Sequence, residues 1–102
     1  MEFRSTIDAG RATVFLEGRL SFSSYPEFRA ATLPILEHPE VDEIHLDLAG
    51  VTFLDSSALG MILHFNQKAG VANKGLVISR PSPAIATVLR VVNFGKLIKI
   101  LP

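Results

Sequence analysis

Short segments rich in apolar, β-branched and aromatic side chains occur along the whole chain, one of them with strict apolar–polar alternation, and they predict β-strands. The clearest case is Ile44–Leu48, where isoleucine and leucine alternate with a histidine and an aspartate. The five predicted strands are Phe3–Ile7, Ala12–Leu16, Ile44–Leu48, Gly75–Ser79 and Leu97–Leu101. Turn-forming residues at Asp8-Ala9-Gly10 join the first two strands into a hairpin. We expect Gly18 and Ala49-Gly50 to end the second and third strands.

The first helix is predicted after the second strand, because apolar positions there follow a helical spacing. Pro26 suits the first helical turn, so either Ser24 or Tyr25 is the expected N-cap. The apolar face consists of Phe28, Ala31 and Ile35. Pro34 interrupts this pattern, and since a proline removes one backbone hydrogen bond, we expect a kink or break near Leu33.

Two further helices are predicted in the second half of the chain. Asp55 is a favourable N-cap for a helix over Ser56–Ala69, and Gly70 is placed to end that helix. Pro83 begins the third helix, and Asn93-Phe94-Gly95 is expected to stop it before the last strand.

The order of these elements is ββαβαβαβ, which predicts an α/β fold. It indicates one domain over residues 1–102, in which a hairpin is followed by parallel strands in a mixed sheet. The composition, 48% hydrophobic and 20% charged, is that of a globular domain. No apolar run approaches the length of a membrane span, and the N-terminus lacks the basic-then-apolar order of a signal peptide. We therefore expect a cytoplasmic protein with no direct membrane insertion.

Charge is distributed unevenly along the chain. Residues 1–55 hold all ten acidic residues and four basic ones, a net charge of −6. Residues 56–102 hold six basic residues and no acid, a net charge of +6. Such asymmetry marks a charged partner surface in some proteins. In an α/β domain of this size, however, we expect the two halves to interleave and their charges to mix.

The sequence offers little metal-binding or nucleic-acid-binding chemistry. It has no cysteine, which excludes a disulfide framework, a thiolate zinc site and a cysteine nucleophile. Glu43, His45 and Asp47 share one face of a predicted strand, and we expect a solvated strand face rather than a set of metal ligands. Basic residues are scattered singly and no aromatic RNA-binding pattern is present, so nucleic-acid binding is not expected.

Ser56 is the strongest candidate for a nucleophile, and its sequence context argues against that role. His64 follows eight residues later, about 12 Å along a helix and too far for a direct hydrogen bond. No G-x-S-x-G elbow surrounds the serine, and the chain has neither a dinucleotide-binding nor a P-loop glycine motif. We therefore expect a non-enzymatic protein with no catalytic residue, no cofactor and no metal site.

The most informative segment is Phe53-Leu54-Asp55-Ser56-Ser57-Ala58-Leu59-Gly60. An Asp-Ser-Ser sequence that begins a helix is, by itself, only capping chemistry. In this context it resembles the central D-S-S-G-L-G block of STAS domains in the anti-sigma-factor-antagonist family, with Ala58 in place of the usual glycine. Leu16–Leu20 resembles that family's early strand–glycine block, and Ser79–Gly95 resembles its last strand–helix–strand unit. The resemblance covers essentially the whole chain and implies a mixed sheet with helices packed mainly on one face.

The resemblance also implies a phosphoswitch. In that family a serine kinase, often the anti-sigma factor itself, phosphorylates the first serine after the motif aspartate, which corresponds to Ser56. A PP2C-like phosphatase reverses the modification, and the unmodified protein binds its partner. A response-regulator-linked switch protein is another partner that the resemblance allows. Ser57 is a secondary candidate for modification, although we expect its hydroxyl to be capping or buried.

The expected partner surface combines the start of the second helix, its exposed face and the loop after the second strand. Its residues are Gly18, Ser21, Ser23, Ser24, Asp55, Ser56, Ser57, His64 and Lys68. The family often carries an acid near the position of Ser21, and none is present here. The sequence does not decide the oligomeric state, the partner or the regulated process.

Two alternatives from other functional classes remain open. One is a STAS subunit of a transporter, such as a lipid-trafficking ABC complex, in which the same helix surface docks permanently and Ser56 stays unmodified. The other is a scaffold domain that assembles into a larger signalling complex.

Overall fold

The computed structural model describes all 102 residues as a five-stranded sheet with three α-helices. Its strands and helices are, in chain order, β1 (Glu2–Asp8), β2 (Arg11–Leu20), α1 (Tyr25–Leu36), β3 (Glu43–Leu54), α2 (Ser56–Val71), β4 (Gly75–Ser79), α3 (Pro83–Val91) and β5 (Lys99–Leu101). Short 3₁₀ turns at Phe22–Ser24 and Phe94–Lys96 precede α1 and β5. No helix has the length and apolar character needed to cross a membrane.

The strands lie in the sheet in the same order as in the sequence, from β1 to β5. The β1–β2 pair is antiparallel and the other pairs are parallel, which confirms the predicted mixed sheet with its N-terminal hairpin. Since every parallel crossover moves one strand further in the same direction, right-handed crossovers place all three helices on one face. The expected α/β fold is therefore confirmed.

The core lies between this face of the sheet and the helices. Alternate residues of β2 and β3 point into it, including Val14, Leu16, Leu46 and Leu48, and each is at most 1% exposed. All three helices contribute to the same cluster of 23 buried apolar side chains. The rings of Phe28 and Phe65, 5.4 Å apart and edge to face, join α1 to α2. This packing fixes the position of α2, whose first turn carries the candidate serines.

Two glycine positions predicted to end strands lie inside longer strands. Gly18 does not end β2, which continues to Leu20 with an irregular register around the glycine and a φ of +106°. Gly50 does not form a turn, and β3 continues through it to Leu54. A Cβ at Gly50 would lie 3.0 Å from the Leu16 carbonyl oxygen, so this glycine permits close approach of two strands.

The predicted helices are present, but two of their predicted stops are wrong. α1 passes through Pro34 and ends at Leu36, so there is no break at Leu33. Pro34 lies in the last turn, where the missing N–H removes only one bond, to the carbonyl of an exposed residue, Ala30. α2 passes through Gly70 to Val71, and Asn73 with φ of +59° adopts the left-handed conformation instead.

The third helix and the last strand are close to the prediction. Ser82 caps α3, accepting a hydrogen bond from the Ile85 N–H at 3.4 Å, and Pro83 is its first residue. Asn93, with φ of +56°, stops the helix as expected. The last strand begins at Lys99 rather than Leu97, because the 3₁₀ turn at Phe94–Lys96 occupies the preceding residues.

The expectation that the two halves of the chain interleave is wrong. Because the strand order is sequential, the C-terminal half forms β4, β5 and their helices as one side of the molecule. A single ion pair joins the halves, between Arg80 Nε and Asp47 Oδ2 at 2.7 Å. The two halves of the sequence therefore occupy different parts of the sheet, and Arg80 and Lys74 reach from the second half to the first.

Candidate functional site

The start of α2 presents Ser56 to solvent in a helical first turn. Asp55 is the N-cap, and its Oδ1 accepts a hydrogen bond from the Ala58 N–H at 2.8 Å, as predicted. Ser56 is the first helical residue and is exposed. The first N–H groups of a helix lack intrahelical acceptors, and the helix dipole is positive at this end. The position therefore combines an accessible hydroxyl with a local environment that stabilises an anion.

Ser57 was expected to be capping or buried, and this is wrong. Asp55 already makes the cap, so the Ser57 hydroxyl is not needed there and the residue is exposed. Ser57 lines a surface groove of about 410 Å³, and Ser56 does not. The two serines point in directions about 100° apart, as adjacent residues of a helix do.

This surface groove, which we call the α2 groove, lies between α2 and the 3₁₀ turn before α1. Its lining residues are Phe22, Tyr25, Ser57, Gly60, Met61 and His64. Phe22 is 71% exposed and offers a large apolar side chain at the edge of this groove. Gly60 faces open space in this groove, because a Cβ there would have no atom within 4 Å.

The serine-rich turn beside the α2 groove is held by its own hydrogen bonds. The Ser21 N–H donates to Ser24 Oγ at 3.3 Å, and Ser24 Oγ donates to the Arg19 carbonyl oxygen at 3.3 Å. Ser21 Oγ and Ser23 Oγ are 2.9 Å apart. Ser24 is buried and Ser23 is exposed. Of the candidate serines in this turn, Ser24 therefore has a structural role, while Ser21 and Ser23 are accessible to a partner.

Gly18 and its neighbour support this turn from the end of β2. A Cβ at Gly18 would lie 3.4 Å from Met1 Cα, and its φ of +106° is strained for any other residue. The Arg19 guanidinium stacks 4.1 Å from the centre of the Phe53 ring, at the end of β3. Gly18 thus shapes the backbone that leads to the serine-rich turn and offers no side chain to a partner.

His64 and Lys68 extend the site along α2. His64 is exposed and lines both the α2 groove and a cleft between α1 and α2, and Lys68 is half-buried in that cleft. The cleft has a volume of about 20 Å³, close to the space of one water molecule. It is therefore a seam between packed helices, which leaves the open α2 groove as the accessible concavity at this end of the molecule.

Sequence reasoning missed four residues of the α2 groove: Phe22, Tyr25, Gly60 and Met61. Phe22 could have been found from the sequence, because it is an aromatic residue between serines that fits neither the preceding strand nor the apolar face of the following helix. Tyr25 was considered only as a helix cap, Gly60 only as part of the family block, and Met61 only as a position in the second helix. Tyr25 and Met61 reach the groove because of how α1 packs against α2, which a helical period alone does not indicate.

The predicted solvated face of β3 is more buried than expected. His45 and Asp47 are 7% and 6% exposed. His45 Nε2 donates to Glu43 Oε1 at 2.5 Å, and Arg11 Nε lies 3.3 Å from the same oxygen. The hydrogen bond from His45, with smaller contributions from the charges of His45 and Arg11, lowers the pKa of the Glu43 carboxyl. No group of three or more His, Asp or Glu side chains is arranged to hold a metal ion.

Comparison with known proteins identifies the family of this sequence. The family model described as "Mlab, STAS domain" matches residues 3–101. A STAS-domain containing protein of Pseudomonas aeruginosa (strain UCBPP-PA14) is 34% identical over 93 residues, which cover 91% of this chain and 90% of that protein.

The fold is shared with anti-sigma factor antagonists of known structure. SpoIIAA in its unphosphorylated form superposes with a TM-score of 0.78 at 19% identity, over 97% of this chain and 87% of that one. The phosphorylated form of SpoIIAA from Bacillus gives 0.71 at 19% identity, over 97% and 90%. An anti-sigma factor antagonist from Mycobacterium paratuberculosis gives 0.85 at 18% identity, over 99% and 85%. At these identities the likeness concerns the fold.

Proposed function

Because this chain belongs to the STAS domain family, we propose that it is a non-enzymatic regulator of a partner-switching pathway. In this proposal the unmodified protein binds a protein partner with the surface around Ser56 and the α2 groove. Phosphorylation of Ser56 releases the partner. The role is that of an anti-sigma-factor antagonist, a class to which several proteins with this fold belong.

The observation that carries the proposal is the exposure of Ser56 in the first turn of α2, next to an open apolar groove. A kinase needs a reachable hydroxyl, and a protein partner needs apolar surface to bury. Here the two features lie side by side, and Ser57 and His64 on the groove wall provide polar contacts. Phosphorylation has been described structurally for one protein with this fold, SpoIIAA.

The physics of a phosphate at Ser56 fits such a switch. Unpaired N–H groups and the positive end of the helix dipole can hold the phosphate without refolding. The modification adds about −1.5 to −2 charge next to the carboxylate of Asp55. A partner that covers this point must then desolvate a dense negative charge. A loss of about 2.7 kcal/mol in binding free energy is enough to weaken the affinity roughly a hundredfold.

The partners follow from the same proposal. The kinase is a serine kinase, which in this family is often the anti-sigma factor itself, or it belongs to a response-regulator-linked switch. A PP2C-like phosphatase restores the unmodified state. All of these proteins act in the cytoplasm, where ATP-dependent phosphorylation takes place.

Intact-mass analysis of the protein isolated from its native cells tests the modification. We expect a species heavier by one phosphoryl group in the wild type and in Ser57→Ala, and none in Ser56→Ala. Ser57→Ala is the matched control, because it removes the adjacent exposed hydroxyl. If the phosphorylated species persists in Ser56→Ala and disappears in Ser57→Ala, the modified residue is Ser57, on the wall of the α2 groove. If the wild type shows no phosphorylated species during growth, starvation or stress, the proposed switch is refuted.

A constitutive docking subunit, for example of a transporter complex, is the second candidate. It is favoured by the exposed Phe22 beside the α2 groove, because a permanently bound partner would cover this side chain. Such a subunit would stay bound irrespective of Ser56, and Phe22→Ser would weaken binding while Ser56→Asp would not. A switch predicts that both substitutions weaken binding.

A further inference from the structure

A second groove, which we call the α3–β5 groove, lies on the side of the molecule formed by the C-terminal half. It has a volume of about 550 Å³ and follows α3 and the edge strand β5. Pro81 and Pro102 lie on its wall, with Arg90, Lys96 and Ile100. It shares no residue with the α2 groove, so a molecule bound in one does not need to displace a molecule bound in the other.

The α3–β5 groove is positively charged and has no acidic residue of its own. Arg90 and Lys96 line the groove and are exposed, and neither forms an ion pair within the chain. Residues 56–102 contain no acid at all. The other basic side chains of this half lie outside the groove: Arg80 pairs with Asp47, Lys74 donates to two loop carbonyl oxygens, Lys68 lines the cleft between α1 and α2, and Lys99 is not among the lining residues. Two cations without an ion pair therefore line the same concavity.

One edge of β5, the strand whose Ile100 lines this groove, has unpaired backbone groups. β5 is the last strand of the sheet and pairs only with β4. An edge strand presents N–H and C=O groups on its open side that another extended chain can pair with. β5 is only three residues long, so side-chain contacts must contribute much of the affinity of any segment that is added there.

We propose that the α3–β5 groove binds an extended acidic segment of a partner protein, which adds as a further strand along β5. Alternate side chains of such a strand face the same side, so acidic residues two apart point toward Arg90 and Lys96. Charge complementarity selects this occupant, since the groove is lined by two cations without an ion pair, Arg90 and Lys96, and by no acidic side chain. The concave shape favours a peptide over the flat surface of a membrane. The proposal does not depend on the role of Ser56.

A peptide titration followed by NMR of the ¹⁵N-labelled full chain tests the proposal. The probe is a peptide of about seven residues in which glutamate and threonine alternate. We expect shifts in the amide signals of α3 and of Lys99–Leu101, with a Kd below about 1 mM at low salt. The double substitution Arg90→Glu/Lys96→Glu is expected to raise the Kd by roughly tenfold or more. The same peptide with lysine in place of glutamate is expected not to bind.

A matched control separates a site from general charge attraction. Arg4→Glu/Arg29→Glu changes the net charge by the same amount on exposed residues of β1 and α1, outside this groove. We expect its Kd to stay within about twofold of the wild type. Equal weakening in both double variants would overturn the proposal. So would shifts centred on α2, or binding to vesicles rich in anionic lipid without binding to the peptide. If sedimentation shows that the chain forms a dimer and that Arg90→Glu/Lys96→Glu is monomeric, the occupant of the groove is a second copy of this chain, and the proposed partner segment is wrong.

Discussion

Asp55 and Ser56 are adjacent in the chain, but Asp55 has a structural role and Ser56 has none. The carboxylate of Asp55 satisfies the Ala58 N–H at 2.8 Å, so it belongs to the fold, whereas Ser56 is exposed and has no comparable structural contact. Asp55→Ala is expected to lower the free energy of unfolding by about 1 kcal/mol, because the cap is lost. Asp55→Ser keeps a capping oxygen, so its free energy of unfolding should fall by only a few tenths of a kcal/mol. Urea denaturation measures both variants, and an equal loss in both would show that the cap contributes little.

Gly18 is a second residue whose conformation decides its role. Its φ of +106° lies where other residues are strained. Gly18→Ala is therefore expected to cost about 1–3 kcal/mol of unfolding free energy. Gly75→Ala is the control, because its Cβ would make only an ordinary contact, with the Asp42 carbonyl oxygen at 4.0 Å. If thermal or urea unfolding shows the two variants to be equally stable, the irregular strand at Gly18 is not under the expected constraint.

At the scale of elements, two glycines of α2 offer a matched pair. Gly60 and Gly70 both lie within the helix, and a Cβ at either position would meet no atom within 4 Å. Each Gly→Ala change should raise the free energy of unfolding by about 0.5–1 kcal/mol, because alanine loses less entropy on folding. Only Gly60 lines the α2 groove. Gly60→Ala should therefore also weaken partner binding, while Gly70→Ala should not. If Gly60→Ala lowers the free energy of unfolding, the added methyl group meets a contact that the structure does not show.

The β2–β3 pair carries the pH dependence that the structure predicts. The hydrogen bond from His45 lowers the pKa of Glu43 below its unfolded value of 4.5. A carboxyl with a lowered folded pKa stabilises the fold above the unfolded pKa, and this stabilisation is lost as the pH falls through the folded pKa. In urea unfolding between pH 7 and pH 3, Glu43→Gln should therefore lose less stability than the wild type. Glu40→Gln, at an exposed residue without an ion pair, should follow the wild type.

The order and type of every strand and helix were predictable, while several of their ends were not. Alternation located β3, and capping residues located α2 and α3, because these signals are local. The ends depend on tertiary contacts instead. Gly50 looks like a turn, but it allows close approach to the Leu16 carbonyl within a longer strand. In the site, Asp55 and Ser56 were predictable from capping chemistry and family resemblance. The groove wall at Tyr25 and Met61 was not, because it depends on how two helices pack.

At the scale of the whole molecule, the sequential strand order places two open surfaces on different parts of the chain. The α2 groove is formed by α2 with the segment before α1, and the α3–β5 groove is formed by the last helix and strand. The same topology places the acidic and basic halves in different parts of the sheet. The sequence alone had led us to expect that the two halves interleave. A regulator with two separate surfaces can bind a switching partner at one while an acidic segment stays bound at the other.

The switch is tested most directly by the affinity of the native partner for two forms of the protein. The partner is first recovered from native cells with the unmodified protein, and its Kd is then measured against the unmodified and the stoichiometrically Ser56-phosphorylated chain. We predict roughly a hundredfold weaker binding after phosphorylation, from the charge added beside Asp55. Phe22→Ser, which changes the α2 groove without adding charge, should also weaken binding. An unchanged Kd on phosphorylation would contradict the proposed switch and favour a constitutive docking subunit.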